Sequence, residues 1–154
     1  DNGAGLNSLQ AYYDKAGIYD NVIAQIGEVD DDGVTHEERK IIFEVNRILN
    51  QVIPIEITSV RVPVAYGHSV VLRITYQNQL NQAQVLEKLS NAPYIKLYEN
   101  HIPSPKEARR SPQVLVGRVR VTGCVLSLWL TSDNVYRGAA WNMVEIAKKF
   151  NWMR

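Results

Sequence analysis

Residues 113–132 read QVLVGRVRVTGCVLSLWLTS, and most of the expected fold follows from this stretch. Its two halves, 113–121 and 124–132, are rich in β-branched and large apolar residues, which is typical of strands. The dipeptide Thr122-Gly123 lies between them and supplies a short turn. The stretch therefore predicts an antiparallel hairpin, and together with the alternating segment YIKLY at 94–98 it forms the expected centre of a sheet.

Helical and extended patterns surround this hairpin. The predicted elements are helices at 6–16, 35–50 and 81–91, a helix after residue 133, strands at 55–64 and 69–76, and a proline-rich loop at 101–112. Strands of mixed connection with helices between them predict an α+β fold. We expect a mixed, largely antiparallel sheet with helices packed on one face.

Composition narrows the classes of protein to consider. The chain has 154 residues, enough for a real core, and its net charge of +1 gives no global field that would attract nucleic acid. No apolar run approaches the roughly 20 residues that span a bilayer, and no signal peptide is visible. The single cysteine, Cys124, allows no internal disulfide and fits a reducing compartment, so a cytoplasmic location is expected. Because the chain opens on Asp1, we expect it to be a piece of something longer.

The helix at 35–50 begins with a capping box. Thr35 and Glu38 have the T-x-x-E spacing in which each side chain bonds the other residue's backbone N–H. Glu37 and Lys40 lie three residues apart and share the polar face of this helix. Taken alone, they are most simply explained as a solvated ion pair that contributes about a few tenths of a kcal/mol.

The segment RVPVAYGHS at 61–69 carries an arginine and a histidine seven residues apart. In an unbroken strand this odd separation would place Arg61 and His68 on opposite faces. Gly67 permits a sharp bend or a positive φ just before the histidine. His68 is therefore either a strand-end histidine bonded to backbone or a general base, the role that imidazole most often takes near neutral pH.

Other chemistry-bearing residues have simple explanations. Cys124 has no cationic neighbour or helix N-terminus in sequence, so an inert thiol is expected. The histidines and the cysteine lack ligand spacing, and no metal is expected. The segment DNVYRGAA at 133–140 begins with a helix N-cap, either Asp133 or Asn134. The small residues that follow leave room for close approach of a ligand or, more simply, for packing of the helix on the sheet.

Five separated segments carry a resemblance to a known family. They are NGAG at the start, DGVTHEERKIIFEVNRIL, RVPVAYGHS, VGRVRV and LWLTSDNVYRGAAWNMVEIAKKF. In order and spacing they resemble the C-terminal half of the aspartate-semialdehyde dehydrogenase family, over essentially the whole chain. The resemblance implies a glyceraldehyde-3-phosphate-dehydrogenase-like C-terminal domain. It also implies an enzyme that reduces aspartyl-β-phosphate to aspartate semialdehyde with NADPH, in lysine, threonine and methionine biosynthesis.

The resemblance gives the candidate residues their roles. His68 matches the general acid/base beside a cysteine that forms a thioacyl-enzyme. Arg61 matches the arginine that grips the substrate carboxylate, where guanidinium pairing is bidentate. Glu37 matches the acid that meets the substrate amine, and Lys40 matches the residue that helps to hold phosphate.

The match to the cofactor site is only partial. Asn134 matches an asparagine that contacts NADP, and Gly3 belongs to the loop beside the nicotinamide. The family's Gly-rich cofactor loop and its catalytic cysteine lie upstream of the part that this chain resembles, and Cys124 is not that cysteine. The resemblance thus implies a substrate-binding and dimerisation domain at 1–132 and a helix at 133–154 that belongs with a nucleotide-binding domain. The chain alone is expected to be inactive.

The implied partners are aspartyl phosphate or aspartate semialdehyde, phosphate, and a second copy of the chain in a homodimer formed through the sheet. Neither nucleic acid nor a membrane is expected as a partner. If the last helix belongs with another domain, part of its apolar surface should be exposed.

Three alternatives stay open. The first is a non-catalytic paralogue of the same fold that acts as a binding or dimerisation protein. The second is a semialdehyde dehydrogenase for another acyl phosphate. The third is a phosphate- or nucleic-acid-binding module built on Arg109, Arg110, Arg118 and Arg120, which aromatic residues do not interleave.

Overall fold

The computed structural model describes residues 17–150 of the chain. The predicted helix at 6–16 and Gly3 lie outside these residues. The chain separates into two units, Asp1–Pro63 and Val64–Arg154. The predicted boundary after residue 132 concerns a further, nucleotide-binding domain and stays a prediction.

Helix α1, His36–Leu49, is the main element of the first unit. The predicted capping box is confirmed, because Thr35 N–H donates to Glu38 Oε2 at 2.8 Å and Glu38 N–H donates to Thr35 Oγ1 at 3.3 Å. Asn50 ends the helix in the left-handed conformation. The second carboxylate oxygen of Glu38 accepts from Ser59 N–H at 2.7 Å, which ties the extended segment after the helix back to its start.

The strand predicted at 55–64 is wrong. Within residues 17–150 this segment forms no strand, and it makes one isolated antiparallel bridge, between Ile23 and Arg61. β-branched residues favour extended backbone, yet a strand needs a partner edge, and Pro54 and Pro63 cannot donate to one.

A four-stranded sheet forms the second unit. The elements in chain order are β1 (His68–Thr75), α2 (Gln82–Asn91), β2 (Ile95–Leu97), α3 (Pro105–Ala108), β3 (Val114–Thr122), β4 (Val125–Ser132), a π-helical turn (Asn134–Ala139) and α4 (Ala140–Lys149). The strand order is β1-β4-β3-β2. β4 is antiparallel to both of its neighbours, and β2 is parallel to β3. The predicted mixed, largely antiparallel sheet is confirmed.

The hairpin of β3 and β4 closes one residue later than predicted. Thr122 pairs with Val125, so the two turn residues are Gly123 and Cys124. Gly123 has a φ of +59°, a conformation that glycine adopts without steric cost. The alternation of apolar and polar residues along β3 is also shifted by one residue, at a β-bulge. Gly117 pairs with Trp129 but Arg120 pairs with Ser127, and the extra residue in this bulge keeps the valines on both sides of it on the core face.

The two faces of the sheet are covered differently. On one face, Val116, Leu126 and Leu128 are buried, and Val85 and Leu89 of α2 pack against them. This arrangement confirms the expected layer of helix on one face.

The opposite face is covered near the end of β4 by the segment that contains α3. Trp129 Nε1–H donates to the carbonyl oxygen of Pro103 at 2.7 Å. Gly117 packs so closely that a Cβ there would lie 2.6 Å from Pro103 Cδ. The rest of this face is open, and Val71 in β1 is 75% exposed.

The C-terminal helix begins with a π-helical turn that the sequence pattern did not predict. Asp133 is its N-cap, which resolves the choice between Asp133 and Asn134. No residue of α4 is buried within the described part of the chain, and Met143 is 70% exposed. The expected exposed apolar surface on this helix is therefore confirmed.

Candidate active site

His68 is the first residue of β1, opposite Ser132 of β4. It is exposed, so its imidazole can meet a ligand. The hydroxyl of Thr131 donates to the backbone oxygen of His68 at 3.0 Å, and the hydroxyl of Ser69 donates to Thr131 Oγ1 at 3.3 Å. Thr131 is 1% exposed, so its hydroxyl is a fixed contact of the buried sheet.

The predicted bend before this histidine is confirmed. Gly67 has a φ of +109°, a conformation that side-chain-bearing residues rarely adopt. A Cβ at this position would lie 3.1 Å from the carbonyl oxygen of Ser132 and 3.5 Å from Pro105 Cβ. The backbone N–H of Gly67 donates to Asn134 Oδ1 at 3.0 Å. The structure thus brings the predicted site residues His68 and Asn134 together through Gly67.

Asp133 anchors the chain next to Asn134. One carboxylate oxygen accepts from the N–H groups of Val135 and Tyr136, both at 2.8 Å, and the other accepts from the N–H of Arg110 at 2.8 Å. Burial raises the pKa of Asp133, but these backbone donors outweigh burial and lower the pKa below its ordinary value. The carboxylate therefore stays charged and holds the start of the helix against the loop after α3.

A second anchor lies further along the same turn. The guanidinium of Arg137 is 4.3 Å from the centre of the Tyr94 ring, and its Nη1 is 3.4 Å from Glu145 Oε2. The other oxygen of Glu145 accepts from Trp141 Nε1–H at 2.9 Å. A hydrogen bond to Glu145 raises the pKa of Tyr94. These contacts fasten the helix start beside β2.

Sequence reasoning missed Thr131, and it gave Asp133 only as a possible N-cap, without its bond to Arg110. The available signal was the polar run TSDN at 131–134, which directly follows the apolar strand β4. Polar side chains at a strand end and helix start are those that bond nearby backbone groups.

Glu37 and Lys40 lie together on α1, as predicted. Lys40 Nζ is 3.7 Å from Glu37 Oε2, and both side chains are partly exposed. Arg61 is exposed, and its backbone N–H and C=O bond Ile23 at 2.8 and 3.0 Å. These three predicted substrate-binding residues belong to the first unit, and His68 and Asn134 belong to the second.

Cys124 is half-buried in the hairpin turn. Within residues 17–150, no three His, Cys, Asp or Glu side chains come close enough to hold a metal ion. None of the helices described in that range is long and apolar enough to cross a membrane.

A mixed sheet with one helical layer and a histidine at the start of its edge strand defines the class of this chain. It is an α+β domain of the glyceraldehyde-3-phosphate-dehydrogenase-like C-terminal kind. The profile of the "Semialdehyde dehydrogenase, dimerisation domain" family matches residues 3–137. The chain belongs to this family.

Named relatives and solved structures agree. The aspartate-semialdehyde dehydrogenase of Rickettsia conorii is 36% identical over 136 residues, which are 84% of this chain and 40% of the relative. Aspartate semialdehyde dehydrogenase II of Vibrio cholerae, solved alone and complexed with ASA, superposes with a TM-score of 0.79 at 36% identity, covering 83% of this chain and 40% of that one.

A Candida albicans aspartate semialdehyde dehydrogenase solved with NADP shares the fold alone, with a TM-score of 0.59 at 21% identity. It is matched over 88% of this chain and 46% of its own length. The chain thus spans less than half the length of the curated relatives and solved structures that it matches here.

Proposed function

We propose that this chain is the substrate-binding and dimerisation half of an aspartate-semialdehyde dehydrogenase. In the proposed reaction NADPH reduces aspartyl-β-phosphate to aspartate semialdehyde, and phosphate is released. The observation that carries the proposal is an exposed histidine held at a glycine bend, in a chain of the semialdehyde dehydrogenase family.

His68 is the proposed proton carrier. Its imidazole takes the proton of a cysteine thiol supplied by another part of the protein, so that the thiolate can attack the acyl carbon and displace phosphate. NADPH, when bound, supplies the hydride that turns the resulting thioester into the aldehyde. The exposure of His68 supports this role, because a proton carrier must reach a group outside its own domain.

The proposed substrate-binding residues are Arg61, Glu37 and Lys40. Arg61 pairs with the substrate carboxylate, Glu37 with its amine and Lys40 with phosphate. Glu37 and Lys40 neutralise each other in this structure at 3.7 Å, with both side chains partly solvated. Such a pair contributes about 0–1 kcal/mol, so a zwitterionic substrate and phosphate can separate it at little cost.

The cofactor contact proposed for Asn134 agrees with its hydrogen bonding. Its bond to Gly67 N–H uses the amide oxygen and leaves the two N–H donors of the side chain for another partner. Gly3 is proposed to line the nicotinamide, and the greater part of the NADP site is assigned to residues outside this chain.

A homodimer formed through the open face of the sheet is the proposed assembly. Val71 is 75% exposed there, and the exposed Arg73 and Arg120 share this face, since both pair with Ser127. The family is named for dimerisation, and a sheet face that carries an exposed valine and two arginines suits a two-fold interface with a polar rim.

The test is the NADP- and phosphate-dependent oxidation of aspartate semialdehyde by the protein in which this chain is joined to a nucleotide-binding half. We expect His68→Gln to lower kcat by about 10²–10⁴-fold, the usual contribution of a general acid/base. His101→Gln is the matched control, since His101 is an exposed histidine that pairs with Glu107. Equal activity of the two variants would contradict the role of His68.

The 154-residue chain alone should show no turnover, because its one cysteine, Cys124, is not the proposed nucleophile. Turnover that Cys124→Ser abolishes would overturn that assignment. A joined protein that dimerises, yet neither oxidises nor reduces the substrate pair, would instead identify a non-catalytic paralogue.

A further inference from the structure

Two side chains from one short stretch hold the backbone at the two ends of the dipeptide Gly67-His68. Asn134 Oδ1 accepts from the N–H of Gly67, the residue before the histidine, at 3.0 Å. Thr131 Oγ1 donates to the carbonyl oxygen of His68 itself, also at 3.0 Å. Both distances are those of well-formed hydrogen bonds, and the two contacts bracket the dipeptide Gly67-His68.

These bonds lie at the start of β1, where the hydrogen-bond ladder of the sheet ends. β1 begins at His68, so the N–H of Gly67 lies outside the strand ladder and takes a side-chain acceptor instead. Gly67 has a φ of +109°, one of many conformations open to glycine, so the bond to Asn134 helps to select it. Asn134 is itself fixed, because the neighbouring Asp133 bonds three backbone N–H groups.

We propose that Thr131 and Asn134 are positioning residues that set the direction in which the His68 imidazole is presented. The backbone position of a residue sets the direction of its Cα–Cβ bond, and its φ and ψ restrict its rotamers. Hydrogen bonds at both ends of Gly67-His68 therefore narrow the directions in which the ring can point. The inference rests on the proposed role of His68 as the acid/base, and it assigns no contact with the reacting atoms to Thr131.

The backbone part of the inference is tested without catalysis, in the 154-residue chain, by amide hydrogen exchange followed by NMR. Asn134→Ala should increase exchange at Gly67 by at least about tenfold, since the N–H loses its acceptor. Asn134→Asp keeps an acceptor oxygen and should restore protection. Asn142→Ala, an exposed asparagine of α4, is the matched control. Unchanged protection of Gly67 in Asn134→Ala would overturn the inference.

The catalytic part is tested in the joined protein with Thr131→Val, which keeps the shape of the side chain and removes the hydroxyl. We expect kcat to fall by about 10–100-fold with little change in KM, because misplacing a reacting group by about 1 Å has effects of this size. Thr122→Val, at the exposed end of β3, is the control.

A double variant separates positioning from general damage. A residue that acts through His68 has nothing left to position in His68→Gln, so Thr131→Val should then leave kcat unchanged. A full further loss of kcat in that background would show that Thr131 acts elsewhere, and would overturn the inference. If His68→Gln itself had no effect, the proposed function would fail while the exchange result at Gly67 still stood.

Discussion

The substitution Asp133→Asn should destabilise the second unit by about 2–4 kcal/mol near neutral pH. Asp133 is buried and binds three backbone N–H groups, those of Arg110, Val135 and Tyr136. If the amide oxygen replaces the oxygen that caps the helix, the amide nitrogen faces the N–H of Arg110. A lost hydrogen bond to a charged group costs about 1.5–3 kcal/mol, and loss of the negative charge at the helix N-terminus adds about 0.3–1 kcal/mol.

The effect should depend on pH with a definite sign. The pKa of Asp133 is lowered in the folded chain, so its carboxylate stabilises the fold above the unfolded pKa, near the ordinary value of 3.8. The contribution is lost as the pH falls through the lower, folded pKa. The difference in unfolding free energy between the wild type and Asp133→Asn should therefore be full above about pH 5 and shrink below 3.8.

The assay is urea unfolding followed by tryptophan fluorescence, which reports the second unit because the sequence of the first unit contains no tryptophan. Glu87→Gln removes a carboxylate from an exposed position of α2 in the same unit and should change stability by less than about 0.5 kcal/mol. If Asp133→Asn were no more destabilising than Glu87→Gln near neutral pH, the assigned role of the carboxylate would be refuted.

Two further predictions concern the open and covered parts of the sheet. Val71→Asp should weaken the homodimer by at least about 100-fold in sedimentation analysis, because each subunit would bury a charge in the interface. Val52→Asp, at a 92% exposed site outside the sheet, should leave the dimer unchanged. If the two variants dimerised equally well, this face of the sheet would be excluded as the interface. Gly117→Ala should destabilise by about 1–3 kcal/mol in urea unfolding, because its Cβ would lie 2.6 Å from Pro103 Cδ. Gly138→Ala, with no atom within 4 Å, should be neutral or stabilising, and equal effects would contradict the packing described.

Local signals predicted most of the secondary structure. The capping box of Thr35 and Glu38 lies within one turn of chain, and the hairpin of β3 and β4 joins adjacent segments. The strand predicted at 55–64 does not form because a strand depends on a partner edge, which the residues of the segment itself do not encode. The slip of the valine pattern around Gly117 was visible in sequence, but only the pairing identifies it as a bulge.

The candidate site was likewise predictable from sequence only in its local features. The order Gly67-His68 indicated a bend that presents a histidine, and the structure shows that bend. The groups that hold it were not predictable, because Thr131 lies 63 residues from His68 and Asn134 lies 67 residues from Gly67. Contacts at such separations follow from strand order, and a single sequence gives no direct measure of that order.

The position of the histidine depends on where the last helix begins. Asn134 is the first residue of the π-helical turn and also the acceptor for Gly67 N–H, so any shift of the helix start alters that 3.0 Å bond. A displacement of about 0.5–1 Å would carry it beyond hydrogen-bonding distance. The chain fixes this start from two sides, through Asp133 and through Arg137. The exposed apolar residues of α4 belong to the helix that follows this start, so a partner bound there would act on the element that holds the bend before His68.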